Sequence, residues 1–277
     1  MMEVAEASFR GFHSWSGSWL GPTRWQKFNR PLTMCSPFYP IFATLAAVTA
    51  MAAAAPPAEV DYELHTKYSN EYLFRGLNLG KDLVEVGADV TADVRGVGLS
   101  AGVWYGSFQD NAVPGLGSPH QNAIELDLYG QISKNFGFCT GSLGYIYRYF
   151  EANDNNTLNS QEVVLGLSHQ FWGIDTSLTY YWGVEKDNDG YSEFALGKSF
   201  ELSHSVVLNC GLALGYLAEK GQLSALTSKL SLDWGVTHTA TISPFVKWSV
   251  ALSDDNDTAY FGSKNQIVGG MMLSVAF

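Results

Sequence analysis

Charge, cysteine and long apolar segments are all scarce in this sequence. Charged residues make up 16% of its 277 residues, well below the quarter that is typical of soluble domains. No stretch after Pro56 is long and apolar enough to cross a membrane as a helix. The three cysteines, Cys35, Cys139 and Cys210, form no Cys-x-x-Cys motif. These absences argue against a helical membrane protein and against a redox or zinc module.

Signatures of catalysis and of nucleic-acid binding are missing as well. The sequence holds no Gly-x-Ser-x-Gly motif and no phosphate-binding loop. Its six histidines are scattered along the chain. The net charge is −11, and it becomes −13 without residues 1–55, which hold four basic and two acidic residues. We therefore expect no cofactor, no enzymatic activity and no nucleic-acid partner, since nucleic-acid binding needs clustered Lys and Arg.

What the sequence does contain is strict alternation, most clearly at its end. Ile267, Met271, Leu273 and Phe277 fall on one side of an extended strand, and mostly small or polar residues fall on the other. Aromatic residues make up 14% of the chain, and there are 28 glycines. A closing strand that ends in an aromatic residue is typical of bacterial outer-membrane β-barrels, in which strands satisfy one another's backbone in lipid.

The N-terminal part predicts export. An apolar run that begins at Ile41 ends in Ala52–Ala55 and is followed by Pro56-Pro57, as in a secretory signal with a small-residue cleavage site. We expect a signal peptide over residues 34–58, and we expect the true start at Met34, so that residues 1–33 are an N-terminal extension outside the protein. A membrane anchor is the alternative, although the run is short for a span. The barrel itself is expected over residues 59–277.

About a dozen alternating runs follow the signal, each near the length that a tilted strand needs to cross a bilayer. Val84, Val86 and Val90 alternate with Glu85 and Asp89 in the clearest of them. Short and long connections alternate between the runs, which is the rule for barrels with short periplasmic turns and longer outer loops. The sequence therefore predicts an all-β, antiparallel up-and-down transmembrane barrel of about 12 strands. The predicted strands lie near 61–75, 84–95, 97–108, 122–133, 138–150, 161–170, 173–184, 191–201, 205–217, 224–234, 237–252 and 266–277. The predicted longer loops are 76–83, 109–121, 151–160, 185–190, 218–223 and 253–264.

One stretch of the first strand resembles a known family. Tyr68-Ser69-Asn70-Glu71-Tyr72-Leu73-Phe74-Arg75-Gly76 resembles the opening motif Ser-x-Tyr-x-Phe-Arg-Gly of the TorF-like porin family of Gram-negative bacteria, with one additional residue between Ser69 and Tyr72. Gly102-Val103-Trp104-Tyr105-Gly106-Ser107 is similar to a second element of that family. The resemblance covers the first quarter of the mature chain and implies an outer-membrane barrel. It does not encode a solute.

The polar faces of the strands are expected to enclose a wet lumen. Mixed charges on opposing walls would either orient polar solutes in a pore or form internal salt bridges that fill a narrow barrel, and the sequence favours neither. Arg75 stands out because it combines the family-like motif with an inward position. The predicted pore-lining residues are Lys67, Arg75, Asp89, Asp93, Arg95, Glu125, Asp127, Arg148, Lys229, Asp233 and Lys247.

These features predict a porin-like channel in the outer membrane that passes small polar solutes by passive diffusion. A non-conducting structural or adhesion barrel and a barrel lipid-modifying enzyme are the alternatives. The expected partners are outer-membrane lipids, lipopolysaccharide, the solutes, and the barrel-assembly machinery through Phe277. Acidic loops such as 151–156, 185–189 and 254–257 leave Ca²⁺ binding open.

Overall fold

The chain forms a closed barrel of twelve antiparallel β-strands. A computed structural model describes residues 60–117, 120–184, 190–218, 220–252 and 265–277. The strands are β1 (Val60–Phe74), β2 (Leu77–Val94), β3 (Val97–Gln109), β4 (Ala123–Asn135), β5 (Thr140–Ala152), β6 (Thr157–Phe171), β7 (Ile174–Gly183), β8 (Tyr191–Ser203), β9 (Val206–Leu217), β10 (Gln222–Gly235), β11 (Ala240–Ala251) and β12 (Gln266–Ala276).

The order around the barrel follows the order in the sequence, and β1 pairs with β12 to close it. The closing register runs from Glu63 opposite Ala276 to Ser69 opposite Gly270. The prediction of an up-and-down barrel of twelve strands is confirmed. In the part of the chain that the structure describes, no helix has the length and apolarity to span a membrane.

Side chains alternate as the sequence pattern predicts. On β2, Val84 and Val86 are half exposed on the outer surface, whereas Glu85 between them is buried inside. Large apolar residues on the outer surface of the other strands repeat this arrangement, as Leu143, Leu165 and Leu178 show. A soluble protein would bury these residues, so the outer surface is suited to lipid.

Tight turns join the strands at the end of the barrel where both described termini lie. Arg95-Gly96 connects β2 to β3, and Trp172-Gly173 connects β6 to β7. Both residues of each pair have positive φ, as a type I′ hairpin turn requires. Two predicted longer loops are wrong. Residues 77–83 of the predicted loop 76–83 belong to β2, and the predicted loop 151–160 is reduced to residues 153–156 between β5 and β6.

Aromatic side chains ring the end of the barrel that carries the tight turns. Phe136, Phe171, Trp172, Trp234 and Phe277 are all exposed there, as expected for rings at the level of the lipid headgroups. Two aromatic residues near the opposite end of the barrel do not face the lipid. Phe150 and Tyr181 are buried inside the barrel, because their parity places them on the inner face of β5 and β7.

Several sequence predictions concern residues outside the described ranges. They are the extension 1–33, the signal peptide 34–58, and the acidic loop segments 185–189 and 253–264. The predictions for these segments stay predictions.

The outer surface generates a depth-dependent prediction. Leu165, in the middle of β6, is 49% exposed, and Leu202, at the rim end of β8, is 59% exposed. Leu165→Arg should lower the free energy of unfolding by about 2–4 kcal/mol, and the matched control Leu202→Arg by about 0–1 kcal/mol, because a charge costs most at the bilayer midplane. Urea titration in lipid vesicles, followed by tryptophan fluorescence, measures both values. Equal costs at the two sites would contradict the assignment of this surface to lipid.

Candidate functional site inside the barrel

The end of the β1–β2 hairpin leaves the wall of the barrel. Pairing of β1 with β12 stops at Ser69, and pairing of β2 with β3 starts at Lys81. Residues 71–80 between these points pair with each other across a bulge at Tyr72/Leu73. We call residues 71–80 the inner hairpin, because its side chains are buried in the barrel on both of its faces.

Apolar side chains from most of the wall pack around the inner hairpin. Leu77 and Leu79 belong to a buried cluster with Trp104 and Phe108 of β3 and Phe150 of β5. Leu73 contacts the opposite part of the wall, where it clusters with Phe245 and Val268. The hairpin is therefore wedged between separate parts of the inner surface and fills the barrel at the end away from the termini.

The turn of the inner hairpin brings Arg75 to the far wall. Arg75 has φ +50° and Gly76 has φ +87°, which again is the type I′ geometry. The tight fit needs a glycine, since a Cβ on Gly76 would lie 2.5 Å from the Cβ of Ala225 on β10. The turn is thus built to approach the wall closely, and it carries a guanidinium group at its tip.

Arg75 forms a two-pronged ion pair with Glu162 of β6. Its Nη1 and Nη2 atoms donate hydrogen bonds of 2.6 and 2.7 Å to the two carboxylate oxygens of Glu162. The guanidinium carbon lies 4.2 Å from the ring centre of Tyr181 and 4.8 Å from that of Tyr191. Bidentate pairing and cation–π contacts are the strongest interactions available to arginine. Arg75 therefore ties the hairpin to β6, β7 and β8.

Arg148 of β5 extends this ion pair into a network. Its Nη1 donates a hydrogen bond of 2.7 Å to Glu162. Its Nε lies 3.3 Å from Asp127 Oδ2 and 3.9 Å from Glu125 Oε1 on β4. The Tyr72 hydroxyl, on the inner hairpin, donates a hydrogen bond of 2.5 Å to Glu125. The hairpin thus meets the charged wall at two points, Arg75 and Tyr72.

A second charged group lies on the other side of the barrel. Lys67 of β1 pairs with Glu85 of β2 at 2.5 Å. The ammonium groups of Lys67, Lys229 and Lys247 lie 5.9, 5.5 and 5.8 Å from the ring centre of Phe245. Three basic side chains from β1, β10 and β11 therefore converge on one aromatic ring.

A third group lies nearer the termini. The Tyr129 hydroxyl donates a hydrogen bond of 2.5 Å to Asp89, and Nδ1 of His65 lies 3.7 Å from the other Asp89 oxygen. Glu63 is buried opposite Asp89 in the β1–β2 register. Within the described ranges, no group of three or more His, Cys, Asp or Glu side chains has an arrangement that fits a metal ion.

The structure separates the predicted pore-lining residues into interior groups and rim residues. Asp233 of β10 accepts a hydrogen bond of 2.7 Å from Asn209. Asp93 and Arg95 are exposed at the β2–β3 turn, where Asp93 accepts a hydrogen bond from the Gly96 amide. The remaining predicted residues are brought together inside the barrel in the groups described above, namely Lys67, Arg75, Asp89, Glu125, Asp127, Arg148, Lys229 and Lys247.

The pore-lining residues predicted from the sequence include no aromatic residue, yet three aromatic residues belong to the inner surface. Phe245, Tyr181 and Tyr191 all face inward and touch the cationic groups. Strand parity alone places them there. The glycine opposite Phe245 is a further signal of its inward position. Gly270 pairs with Phe245, and a Cβ on Gly270 would lie 2.5 Å from the phenylalanine ring.

Little free space remains between these groups. A cavity of about 20 Å³ lies between the hairpin tip and β8–β11. A second cavity, of about 10 Å³, lies next to Lys67 and Phe245. Each volume is near that needed for one water molecule. Leu73 and Lys247 line both cavities, so the hairpin and one lysine separate them.

Two cysteines and one exposed ion pair lie outside the interior groups. Cys139, in the turn between β4 and β5, and Cys210, on β9, are both free and half-buried. At the loop end, Lys81 lies outside the network and donates a hydrogen bond of 2.7 Å to Asp110. That hydrogen bond lowers the pKa of Asp110 below its usual value.

Comparisons with known proteins agree with this architecture. A family described as "Bacterial protein of unknown function (Gcw_chp)" matches residues 51–268. An outer membrane channel from Pseudomonas putida F1 is 11% identical, with a TM-score of 0.50 over 81% of this chain and 97% of its own. The KdgM porin is 10% identical, with a TM-score of 0.45 over 78% of this chain and 99% of its own. The NanC porin is also 10% identical, with a TM-score of 0.44 over 78% of this chain and 98% of its own.

At such low identities, the first of these likenesses shows a shared barrel fold and nothing finer. None of the curated proteins compared with the chain matches it. The resemblance of residues 68–76 to the TorF-like porins stays a prediction.

The network around Arg148 generates a stability prediction. Arg148 is 5% exposed and touches three carboxylates, so Arg148→Met should lower the free energy of unfolding by about 3–5 kcal/mol by leaving buried charges without their cation. Lys81→Met is the control, because Lys81 is 58% exposed in its ion pair with Asp110, and it should cause no measurable change. Urea unfolding in vesicles measures both. A small effect at Arg148 would mean that water already solvates the network.

Proposed function

This chain belongs to the Gcw_chp family of bacterial proteins, and we propose that it is an outer-membrane channel for small polar solutes. The proposal includes a closed state, in which the inner hairpin fills the lumen. The observation that carries it is the position of residues 71–80, which pair with each other inside the barrel rather than with the wall.

A wall without this hairpin would enclose polar and charged side chains from every part of the barrel. Lys67, Lys247 and Asp89 line it on one side, and Arg148 and Glu162 line it on the other. Such a surface is suited to water and polar solutes. The hairpin itself contributes apolar residues, among them Leu73 and Leu77, that displace this water.

The ion pair between Arg75 and Glu162 supports a reversible closure. It holds the tip of the hairpin through two hydrogen bonds to one carboxylate. When water enters and the two partners separate, both regain hydration, which offsets part of the cost of breaking the ion pair. Glu162 keeps Arg148 as a partner when Arg75 leaves. Glu162 would therefore still have a cationic partner in the wall after the hairpin leaves.

A non-conducting barrel is the second candidate function, and the filled interior favours it. The inner hairpin packs apolar side chains such as Leu73 and Leu77 into the lumen, and two cavities beside it have volumes of only about 20 and 10 Å³. In that case the hairpin would serve as a permanent core that stiffens the barrel. The same experiment decides between the two functions.

The deciding experiment is conduction by Arg75→Ala in planar lipid bilayers. Loss of the ion pair should release the hairpin and raise the frequency of open current steps above that of the unaltered protein. Arg95→Ala is the matched control, since Arg95 occupies the same position in the Arg-Gly turn at the other end of β2 but is exposed. It should leave the current unchanged.

A second variant tests the other partner of the ion pair. Glu162→Gln removes the charge that binds both arginines and should also increase opening. Heat-dependent electrophoretic mobility would verify that each variant is a folded barrel. Folded Arg75→Ala and Glu162→Gln barrels that stay silent would overturn the channel proposal in favour of the non-conducting barrel.

A further inference from the structure

The arrangement of Lys67, Lys229 and Lys247 is unusual for a structural feature. Lys229 and Lys247 lie directly opposite each other in the β10–β11 register, and both side chains face inward. Like charges in directly opposed positions destabilise a strand pair. A residue without charge at either position would avoid this cost, so the pair calls for an explanation beyond folding.

Phe245 holds these groups together. Its ring lies over Gly270 of β12, a position where a Cβ would clash with it. From there it meets all three ammonium groups at 5.5–5.9 Å from its centre. Cation–π attraction offsets part of the repulsion between the lysines. Ammonium groups from β1, β10 and β11 therefore meet at one ring inside the lumen.

Carboxylates also lie near the three lysines. Glu85 lies 2.5 Å from Lys67. Asp233 attracts Lys229, and Glu193 attracts Lys247. Asp233 also accepts a hydrogen bond from Asn209, and Glu193 accepts one from Tyr191. Lys247 lies between the two cavities and lines both of them. A solute that moved from one cavity to the other would therefore pass its ammonium group.

We infer that Lys67, Lys229 and Lys247 form an anion-binding constriction, and that the channel selects small anions. The inference rests on the proposed function and adds the charge of its solutes. Converging basic side chains at a narrow point replace part of an anion's hydration and repel cations. The chain's overall charge of −11 would favour cations. A preference for anions therefore has to arise from the local group of lysines.

Two measurements with chloride as the probe test this inference. The first is the reversal potential of Arg75→Ala channels in a gradient of potassium chloride, which should have the sign of chloride selectivity. Adding Lys229→Gln and Lys247→Gln should shift it toward equal passage of the two ions or toward potassium. Low salt is needed because screening weakens the effect. Lys198→Gln is the matched control, since Lys198 lies beside Phe200 on the outer surface, and it should cause no shift.

The second measurement does not need conduction. Broadening of the chloride-35 magnetic resonance signal by detergent-solubilised protein reports bound chloride, and the Lys229→Gln/Lys247→Gln protein should bind it about tenfold more weakly or worse, because charge-assisted contacts are lost. Lys247→Arg, which keeps the charge, should preserve binding. Heat-dependent mobility verifies folding of each variant.

The outcomes separate the two proposals. Currents without chloride preference, or broadening that does not depend on the lysines, would overturn the anion site and leave the channel standing. Lysine-dependent broadening without any current would keep the anion site and overturn the channel.

Discussion

The structure depends on the need to satisfy the strand backbone within lipid. Open sheet edges do not survive in a bilayer, so β1 must pair with β12. Once the sheet is closed, the alternation of side chains along each strand points every second side chain into an enclosed space. Acidic and basic groups in that space, such as Glu125 and Arg148, have to find partners among themselves or in water. The interior network is thus a consequence of closure.

Closure also explains why the inner hairpin is possible. β1 and β2 are neighbours at the start of the chain, and both run past the point where β12 and β3 pair with them. The excess length has no partner in the wall. Its backbone is satisfied by its own pairing across the turn, which lets the segment fold inward at little cost in backbone hydrogen bonds. The bulge at Tyr72/Leu73 supplies the change of direction.

The sequence predicts the wall of this barrel well and its contents poorly. Period two in segments such as Val84–Val94 is a local property, so strand number and inner faces can be derived from it. The inward position of Arg75 is also predicted, but as a strand residue, whereas it lies in a turn. The point at which the hairpin leaves the wall depends on the relative lengths of four strands, β12, β1, β2 and β3, and no local sequence pattern contains this information. For the same reason the contacts of Arg75 with Glu162, 87 residues away, could not be derived.

The two charged groups differ in a way that bears on their roles. Around Glu162, two arginines and a carboxylate attract one another and hold the hairpin. Around Phe245, the directly opposed Lys229 and Lys247 repel each other, and both ammonium groups lie near the ring. Under the channel proposal, the attraction holds the hairpin in place and is lost when the hairpin leaves, whereas an anion from solution would relieve the repulsion between the lysines. On that proposal, one side of the lumen serves closure and the other side contacts the solute.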